Sequence, residues 1–411
     1  MEIINLSKEK CEHYLEDKPI DKAVLFPDAF LKDKYKHLDY DIAVPSSSVI
    51  VSDSLAPQLR SRGLYCSISL LRLNVENRPK NITKIYDIFK KIPQLKTSKL
   101  LYRLCPLKHK KYDLSFFEYI KVLKEGPEYL IKKHRIEDPV IERVFRKEHI
   151  SFKKTPLTCL IGRPYLKNDF GKSFAGNHFI ELQEVNKIYD RQISNSNSLN
   201  KGDLLITYHT SGLSLEIFLQ RKYVKKYLKN KKVEAIKDRA TVDRVLNALN
   251  IVRNYSLAYT LNFYVILRDL FEKEFKRKNI VEFILYAPHN MISKKGDNYL
   301  YHHNAISLKN KLNFIAGNYN FDSLIVAKGD NSERFIDSAD HGIARFVSLN
   351  ESDLTGDKIK RILVKNGKIT ETSIKKYSEQ VLNDYIDLMT SKGIIKPICS
   401  LSPIINYKEI K

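Results

Sequence analysis

A short segment of mixed chemistry, Gly-Asn-His-Phe-Ile-Glu, runs from Gly176 to Glu181 and holds an amide, an imidazole and a carboxylate. Glycine lets the backbone turn tightly or approach a ligand, and imidazole is a common ligand for transition metals. If the segment is extended, Asn177 and Glu181 share one face and His178 lies on the other. The segment is therefore either a half-buried strand with a hydrogen-bonded histidine or part of a metal-binding site.

Further side chains of metal-ligand or nucleophile type lie in short, distinctive contexts. His209 ends an apolar run, His289 follows another, and Cys66 begins a third. Strand ends are where a rigid scaffold presents functional side chains, although a lone cysteine is more often a small buried apolar residue. Imidazoles together with a thiolate suit a first-row transition metal, and ligand type alone favours Zn²⁺. Another histidine, His341, is followed by Gly342, which allows a phosphate to approach closely.

In order along the chain, these segments resemble the RtcB family of RNA ligases, from about residue 24 to the last residues. The family's cysteine-led apolar run with an arginine is similar to 66–72, and its Gly-Gly-Gly-Asn-His-Phe segment is similar to 174–179. Its His-Thr-Gly-Ser, His-Asn, Ala-x-His-Gly-Ala-Gly-Arg and Pro-Leu-Gly-x-x-Lys segments resemble 209–212, 289–290, 339–345 and 402–408. The shared order of the segments favours common descent.

The resemblance implies a GTP-dependent ligase that joins RNA 3'-phosphate or 2',3'-cyclic phosphate ends to 5'-hydroxyl ends, in RNA repair or tRNA splicing. It implies that His341 attacks the α-phosphate of GTP and becomes a covalent His–GMP. By the same resemblance, Cys66, His209 and His289 hold one Mn²⁺, whereas Cys66 and His178 contribute to a second. The family alone points to Mn²⁺, and an activating protein partner is left open.

The resemblance also implies a set of nucleotide contacts. Asn177 and Glu181 would contact the nucleotide, and Lys408 would contact the guanine. Gly342 would let a phosphate approach closely, and Arg345 would pair bidentately with phosphate oxygens.

Four positions depart from the family pattern. Gly63 replaces a metal-binding aspartate, which removes an anionic oxygen ligand from the second metal site. Segment 27–30 lacks the family's histidine, 302–305 lacks its lysine, and 316–320 differs from its phosphate-binding loop. These departures leave two alternatives open: an RNA-end-binding homologue with impaired catalysis, or a metal-dependent phosphodiesterase in which a metal-bound water is the nucleophile. His302 and His303 are expected near the surface.

The chain has 411 residues, with 71 Lys and Arg against 48 Asp and Glu, giving a formal charge of +23. Such an excess of positive charge is typical of a protein whose partner carries many negative charges, here RNA. Part of the excess is equally consistent with a solvated lysine-rich surface. The five cysteines form no Cys-x-x-Cys pair, which favours a reducing compartment. The first residues lack a signal-peptide pattern, so the sequence predicts a cytoplasmic protein.

Strand-like and helix-like segments are interspersed without a βαβ rhythm, which predicts an α+β fold. The resemblance implies one compact catalytic domain over 1–411, with mixed sheets around a central metal and nucleotide pocket. Residues 80–150 are lysine-rich and helical in pattern, with breaks at Pro106 and Pro127. They are interpreted as a basic insertion that either grips RNA or forms a solvated cover.

Apolar spacing predicts a long helix over 239–277, capped by Thr241 or Asp243, and a final helix over 373–392. Asn250 and Asn254 lie one turn apart on the long helix. They either face the nucleotide or satisfy loop backbone groups.

Overall fold

The structure is a computed structural model that describes residues 1–16, 18–30, 44–59, 63–96, 111–148, 170–174, 176–212, 215 and 234–410. Cys105, Cys159 and Pro106 lie outside these residues. Within them the chain forms a mixture of helices and strands in a single α+β fold, as predicted. The strands, in chain order, are β1 Glu2–Asn5, β2 Lys22–Phe30, β3 Ser46–Ser52, β4 Cys66–Leu73, β5 Phe179–Ile188, β6 Leu204–Thr210, β7 Val281–His289, β8 Ile292–Lys295, β9 Asn298–His303, β10 Ala305–Ser307, β11 Asn313–Ile315, β12 Ser323–Lys328, β13 Ser338–Asp340, β14 Leu354–Lys365, β15 Lys368–Tyr377 and β16 Ile395–Ile410.

The α-helices fall into an early group, one long helix and two short ones. They are α1 Pro79–Lys91, α2 Phe116–Glu125, α3 Pro127–His134, α4 Pro139–Glu148, α5 Arg191–Ser196, α6 Arg239–Phe275 and α7 Asn383–Ser391. None of the helices in the described ranges is long and apolar enough to cross a membrane.

The strands form two sheets. The larger has the order β11-β12-β16-β5-β6-β4-β7-β10-β13, with β14 beside β16 and β15 beside β14; the smaller has the order β1-β2-β3-β9-β8. Most neighbours in the larger sheet are antiparallel, while β14 runs parallel to β16. The start of β4 therefore lies beside the ends of β6 and β7, and the start of β5 lies beside the end of β6. This shared end of the sheet positions the candidate site.

The two faces of the larger sheet differ sharply in chemistry. Ile180, Ile206 and Tyr208 point to one face and join the apolar cluster formed with α6. Residues at alternate positions, including Glu181 and His209, point to the other face. The face covered by α6 also carries small hydroxyls, such as Thr210, whose Oγ1 lies 3.0 Å from Thr260 Oγ1 of α6. The carboxylate of Glu181 and the imidazole of His209 lie on the second face.

The early helices are part of the core. Phe89 of α1, Tyr119 of α2 and Leu130 of α3 are buried in the same cluster as α6. The predicted break at Pro127 occurs between α2 and α3, where Gly126 has a positive φ of 58° and adjoins the Asn254 side chain. A purely solvated cover therefore does not describe this region, whereas its role toward RNA stays a prediction.

Two predicted helix boundaries differ from the structure. The long helix is capped by Asp238, whose carboxylate accepts a hydrogen bond from the Thr241 backbone at 2.9 Å. The predicted caps, Thr241 and Asp243, were therefore three and five residues late. The predicted final helix over 373–392 is wrong in its first part, because 373–377 belongs to β15 and the helix spans only α7. Pairing of β15 with β14 outweighs the helical spacing there.

The amide of Asn254 satisfies loop backbone. Its Nδ2 donates to the carbonyls of Leu123 and Lys124, at 3.2 and 3.4 Å, and the residue is fully buried. It lies on α6, on the opposite side of the large sheet from Glu181. The structure therefore favours the backbone-supporting interpretation of this asparagine.

We expect Asn254→Ala to lower the free energy of unfolding by about 1–3 kcal/mol, because two buried carbonyls lose their donor. Urea unfolding followed by circular dichroism measures the change. Asn250→Ala, one turn earlier on the same helix and less buried, is the matched control and is expected to change little. Equal effects of the two substitutions would contradict this assignment.

Candidate functional site

Strand register brings together three side chains predicted as metal ligands. Cys66 on β4 is the register partner of His289 on β7, and His209 on β6 is the partner of Ile68, two residues along β4. Register partners share a face of a sheet and lie close together. The Cys66 Sγ is 2.9 Å from His209 Nε2, and His209 Nε2 is 3.1 Å from His289 Nε2.

These three buried residues form a group that could hold a metal ion, since their ligand atoms all lie within 4.8 Å of one another. No carboxylate of a described residue belongs to the group. Burial lowers the pKa of His209 and of His289 well below the usual value, and neighbouring imidazoles lower both further. Both rings are therefore neutral at physiological pH and offer lone pairs, as metal coordination requires.

A fourth predicted ligand, His178, approaches the same sulfur from another side. Its Nε2 lies 3.4 Å from Cys66 Sγ and 3.2 Å from Ser211 Oγ. Burial lowers the pKa of His178 to about 4, with a smaller contribution from the charge of Lys408. The expectation that His178 faces away from Glu181 was wrong, because β5 begins only at Phe179 and strand alternation does not apply to His178.

Backbone carbonyls orient two of the imidazoles. His209 Nδ1 is 3.2 Å from the Asn177 carbonyl, so the proton on Nδ1 leaves Nε2 facing Cys66. His341 Nδ1 is 2.9 Å from the Asn304 carbonyl in the same way. Its Nε2 then carries the lone pair, which is the form a nucleophilic imidazole needs. The His341 ring centroid lies 4.4 Å from that of His289, so the structure brings the predicted nucleophile beside the ligand group.

The segment that carries His341 is held by two carboxylates whose role the sequence did not reveal. Asp28 Oδ1 accepts hydrogen bonds from the backbone amides of Arg345 and Phe346, at 2.7 and 2.8 Å. Asp340 Oδ1 accepts from the Asp28 amide at 3.2 Å and from Ser47 Oγ at 2.6 Å. Both carboxylates are thus engaged in fixing this loop.

Asp340 is fully buried, and its other oxygen accepts a hydrogen bond from Tyr385 at 2.9 Å. Burial, with a smaller contribution from the nearby charge of Asp28, raises the pKa of Asp340 to about 8. The loop 316–320 lies against the same segment, because the Ala316 amide donates to the His341 carbonyl and the Ile343 amide donates to the Ala316 carbonyl. Gly317 is required there, since an added Cβ would lie 2.0 Å from the Asp322 carbonyl oxygen.

The predicted nucleotide contacts occupy different environments. Glu181 is buried and accepts hydrogen bonds from Asn406 Nδ2 at 2.8 Å and Gln183 Nε2 at 3.0 Å. Burial raises the pKa of Glu181 to about 7, whereas burial lowers the pKa of Lys408, which shares its sheet face. Asn177 is exposed.

The remaining predicted phosphate contacts, Gly342 and Arg345, follow His341 in the chain. Gly342 is half-buried, and Arg345 is exposed with its guanidinium 3.3 Å from the centre of the Phe30 ring. Phe30 stands where the family pattern has a histidine. Phe30 thus provides an aromatic ring for the Arg345 guanidinium at a position where the family has a histidine.

Two further histidines differ from expectation. His302 and His303 are buried, not near the surface, because β9 is an inner strand of the smaller sheet. His302 Nε2 lies 3.2 Å from Ser338 Oγ, and burial lowers its pKa to about 3. His302 therefore lies against Ser338, three residues before His341, whereas His303 lies against the Leu59 carbonyl.

A family model described as tRNA-splicing ligase RtcB matches residues 36–409, nearly the whole chain. The chain belongs to the RtcB family. No individual curated protein matches it significantly. Membership supports an RNA-ligase function of the tRNA-splicing type in general terms, and the Cys66, His209 and His289 group is consistent with metal binding by this RtcB-family protein.

We expect Cys66→Ala to abolish the absorption bands that Co²⁺ gives when bound by a thiolate, because Cys66 supplies the thiolate of this group. Titration of the metal-free protein with Co²⁺, followed by visible spectroscopy and metal analysis, measures this. Cys399→Ala removes another buried thiol outside the group and is the matched control. Unchanged bands in Cys66→Ala would exclude this group as the metal site.

We expect Asp340→Asn to flatten the pH dependence of stability. The native carboxyl keeps its proton up to about pH 8, whereas the unfolded one loses it near its ordinary value of 3.8. The native state therefore binds more protons in this window, and stability falls as pH rises through it, by at most about 1.4 kcal/mol per pH unit. Urea unfolding of both proteins across the window measures the difference, and parallel curves would contradict the prediction.

Proposed function

We propose that this RtcB-family protein is a Mn²⁺- and GTP-dependent RNA ligase that joins 3'-phosphate or 2',3'-cyclic phosphate ends to 5'-hydroxyl ends. The observation that carries the proposal is the position of His341. Its Nδ1 donates to a carbonyl, which leaves Nε2 as a nucleophile, and its ring lies 4.4 Å from that of His289. Family membership and the charge of +23 both support an RNA substrate.

In the proposed reaction, His341 Nε2 attacks the α-phosphorus of GTP, a P–N bond forms, and pyrophosphate leaves. A 2',3'-cyclic phosphate end would first be opened by water, which breaks the P–O2' bond and leaves a 3'-phosphate and a 2'-hydroxyl. The nucleotidyl group then passes from His341 to the RNA 3'-phosphate as the P–N bond breaks, and attack by the 5'-hydroxyl releases GMP as the new phosphodiester forms. Phosphoryl transfer depends mostly on positioning and charge neutralisation. The hydrogen bonds from Arg345 and Phe346 to Asp28 supply the positioning by fixing the loop.

Metal binding fits the residues present. Cys66, His209 and His289 would hold the ion, and His178 would contribute to a second ion at the same sulfur. A bound ion would act as a Lewis acid on phosphate oxygens. The set of neutral nitrogens and one sulfur also suits Zn²⁺, so we expect Zn²⁺ to compete for the site.

Glu181, Asn177 and Lys408 are proposed to contact the nucleotide, with Lys408 on the guanine. Lys408 lies on the face of the larger sheet that carries Glu181 and His209, called the site face below. Burial lowers the pKa of Lys408, which favours pairing with an electron-rich ligand. Gly342 and Arg345 are proposed to contact phosphate. Stacking on Phe30 restricts the Arg345 guanidinium to one orientation, which suits bidentate binding.

A second candidate is an RNA-end-binding protein without nucleotide transfer. Gly63 favours it, because the position that would carry an anionic ligand has no side chain. An added Cβ there would lie 3.7 Å from Cys66 Cβ, so a side chain at this position would begin beside Cys66. This candidate predicts metal and RNA binding with no covalent nucleotide.

We expect incubation with Mn²⁺ and α-labelled GTP to give an acid-labile covalent label that is absent in His341→Ala. His341→Ala should retain its Co²⁺ bands, which shows that the ligand group is intact. His302→Asn alters a buried imidazole outside the proposed chemistry and is expected to keep the label. Absence of label in the unmodified protein, with metal bound, would favour the RNA-end-binding candidate.

A further inference from the structure

Arg361 is a cation on the site face that has no part in the proposed metal, phosphate or guanine contacts. Arg361 lies on β14 and is the register partner of Asn406 on β16, which is the partner of Glu181 on β5 and, through it, of Thr207 on β6. Register partners share a face, so this row extends the site face outward from the histidines. Hydrogen bonds within the row confirm it, since Asn406 donates to Glu181.

Arg361 is half-buried and poorly compensated. Its Nε is enclosed by protein and has no hydrogen-bond partner among the described residues. It lies close enough to Lys408 to help lower the pKa of that lysine, after burial, and close enough to Glu181 to oppose the rise in its pKa. Two cations thus share one buried carboxylate, an arrangement that favours a ligand rich in hydrogen-bond acceptors.

Asn406 supplies the complementary group. Its Nδ2 faces Glu181, which assigns the amide orientation and directs Oδ1 away from that carboxylate. Oδ1 is buried and has no hydrogen-bond partner in the described ranges. Buried polar atoms are usually paired with protein, water or ligand. An acceptor therefore stands beside the guanidinium donors of Arg361.

An aromatic ring completes the arrangement. The Arg361 guanidinium lies 4.5 Å from the centre of the Tyr319 ring, and Tyr319 is 37% exposed in the loop that contacts the His341 segment. Stacking holds the planar guanidinium with one edge directed along the sheet face. An exposed ring at this position offers a flat surface to a ligand that has a flat face of its own.

Position along the sheet limits which part of a nucleotide reaches Arg361. Strands β6, β5, β16 and β14 are consecutive neighbours, so Arg361 is three strand spacings from His209, roughly 14 Å. A phosphorus atom held beside His209 and the His341 ring, whose centroids are 6.3 Å apart, would therefore lie several strands away from Arg361. The base, at the other end of a nucleotide, extends toward this row.

We propose that Arg361, with Asn406 and Tyr319, reads the base edge and selects guanine over adenine. Guanine presents O6 and N7 as acceptors, which an arginine fork matches bidentately, and its N–H groups suit Asn406 Oδ1. Adenine presents an amino group where guanine has O6, and this donor opposes the guanidinium. The inference rests on the proposed nucleotide-binding function and adds the residue that determines its base specificity.

Binding of GMP and AMP tests the inference without the covalent step, because neither has a pyrophosphate leaving group. We expect isothermal titration calorimetry to show that the unmodified protein prefers GMP. In Arg361→Ala, GMP affinity should fall by about tenfold or more, while AMP affinity changes little. Arg361→Lys keeps the charge without the planar fork, so it should fold normally and lose most of the preference.

Lys360→Ala is the matched control, since Lys360 is the next residue on β14 and faces the opposite side, over the Tyr86 ring. It should leave both affinities unchanged. Equal losses of GMP and AMP in both Arg361 variants would assign the residue to phosphate and overturn the inference. A GMP preference retained by Arg361→Lys and Arg361→Ala would overturn the inference alone, whereas an unmodified protein that binds neither nucleotide would overturn the proposed function as well.

Discussion

The register of β4 against β6 and β7 is the constraint on which the site depends. It places Cys66 opposite His289 and sets His209 beside the same sulfur. Shifting one strand by a single residue would move its whole set of side chains to the other face. The apolar residues that alternate with the ligands, such as Tyr208 beside His209, are buried against α6 and specify the register. Core packing and ligand placement are therefore two results of one alternation.

Burial then sets the chemistry that this register makes possible. The imidazoles of His209 and His289 are neutral because the surrounding protein disfavours their charged forms. A carbonyl fixes the tautomer of His209, and another fixes that of His341. The larger sheet supplies the ligands, while Asp28 from the smaller sheet holds the segment after His341. Packing of the two sheets against each other thus sets how His341, the proposed nucleophile, lies relative to the proposed ligand group.

Sequence reasoning singled out His209, His289 and Cys66 because each lies at the boundary of an apolar run, and the family resemblance implied that they act together. In the structure, antiparallel register brings these boundaries side by side. Sequence reasoning did not identify contacts between residues that are far apart in the chain. Nothing local marks Asp28 as the acceptor for an amide more than 300 residues away. The β14–β15 hairpin did carry a local signal, since Asn366 and Gly367 both have positive φ, as a two-residue hairpin turn requires. The helical spacing of apolar residues from position 373 onward nevertheless favoured a helix there.

Gly63 links the departures from the family to the charge of the site. It adopts φ +72°, a conformation that glycine takes without strain, and it contributes no anionic oxygen beside Cys66. A divalent ion held by one thiolate and neutral imidazoles keeps a net positive charge, which an aspartate would have neutralised. In the proposed function, the missing aspartate would weaken metal binding but strengthen the attraction for phosphates, because a bound ion is the largest local charge in such a site. Arg361 and Lys408 add positive charge on the same face, near enough to each other that Arg361 helps to lower the pKa of Lys408. In the proposed binding mode the metal side of the pocket would therefore attract the phosphates, while these two cations would lie toward the base.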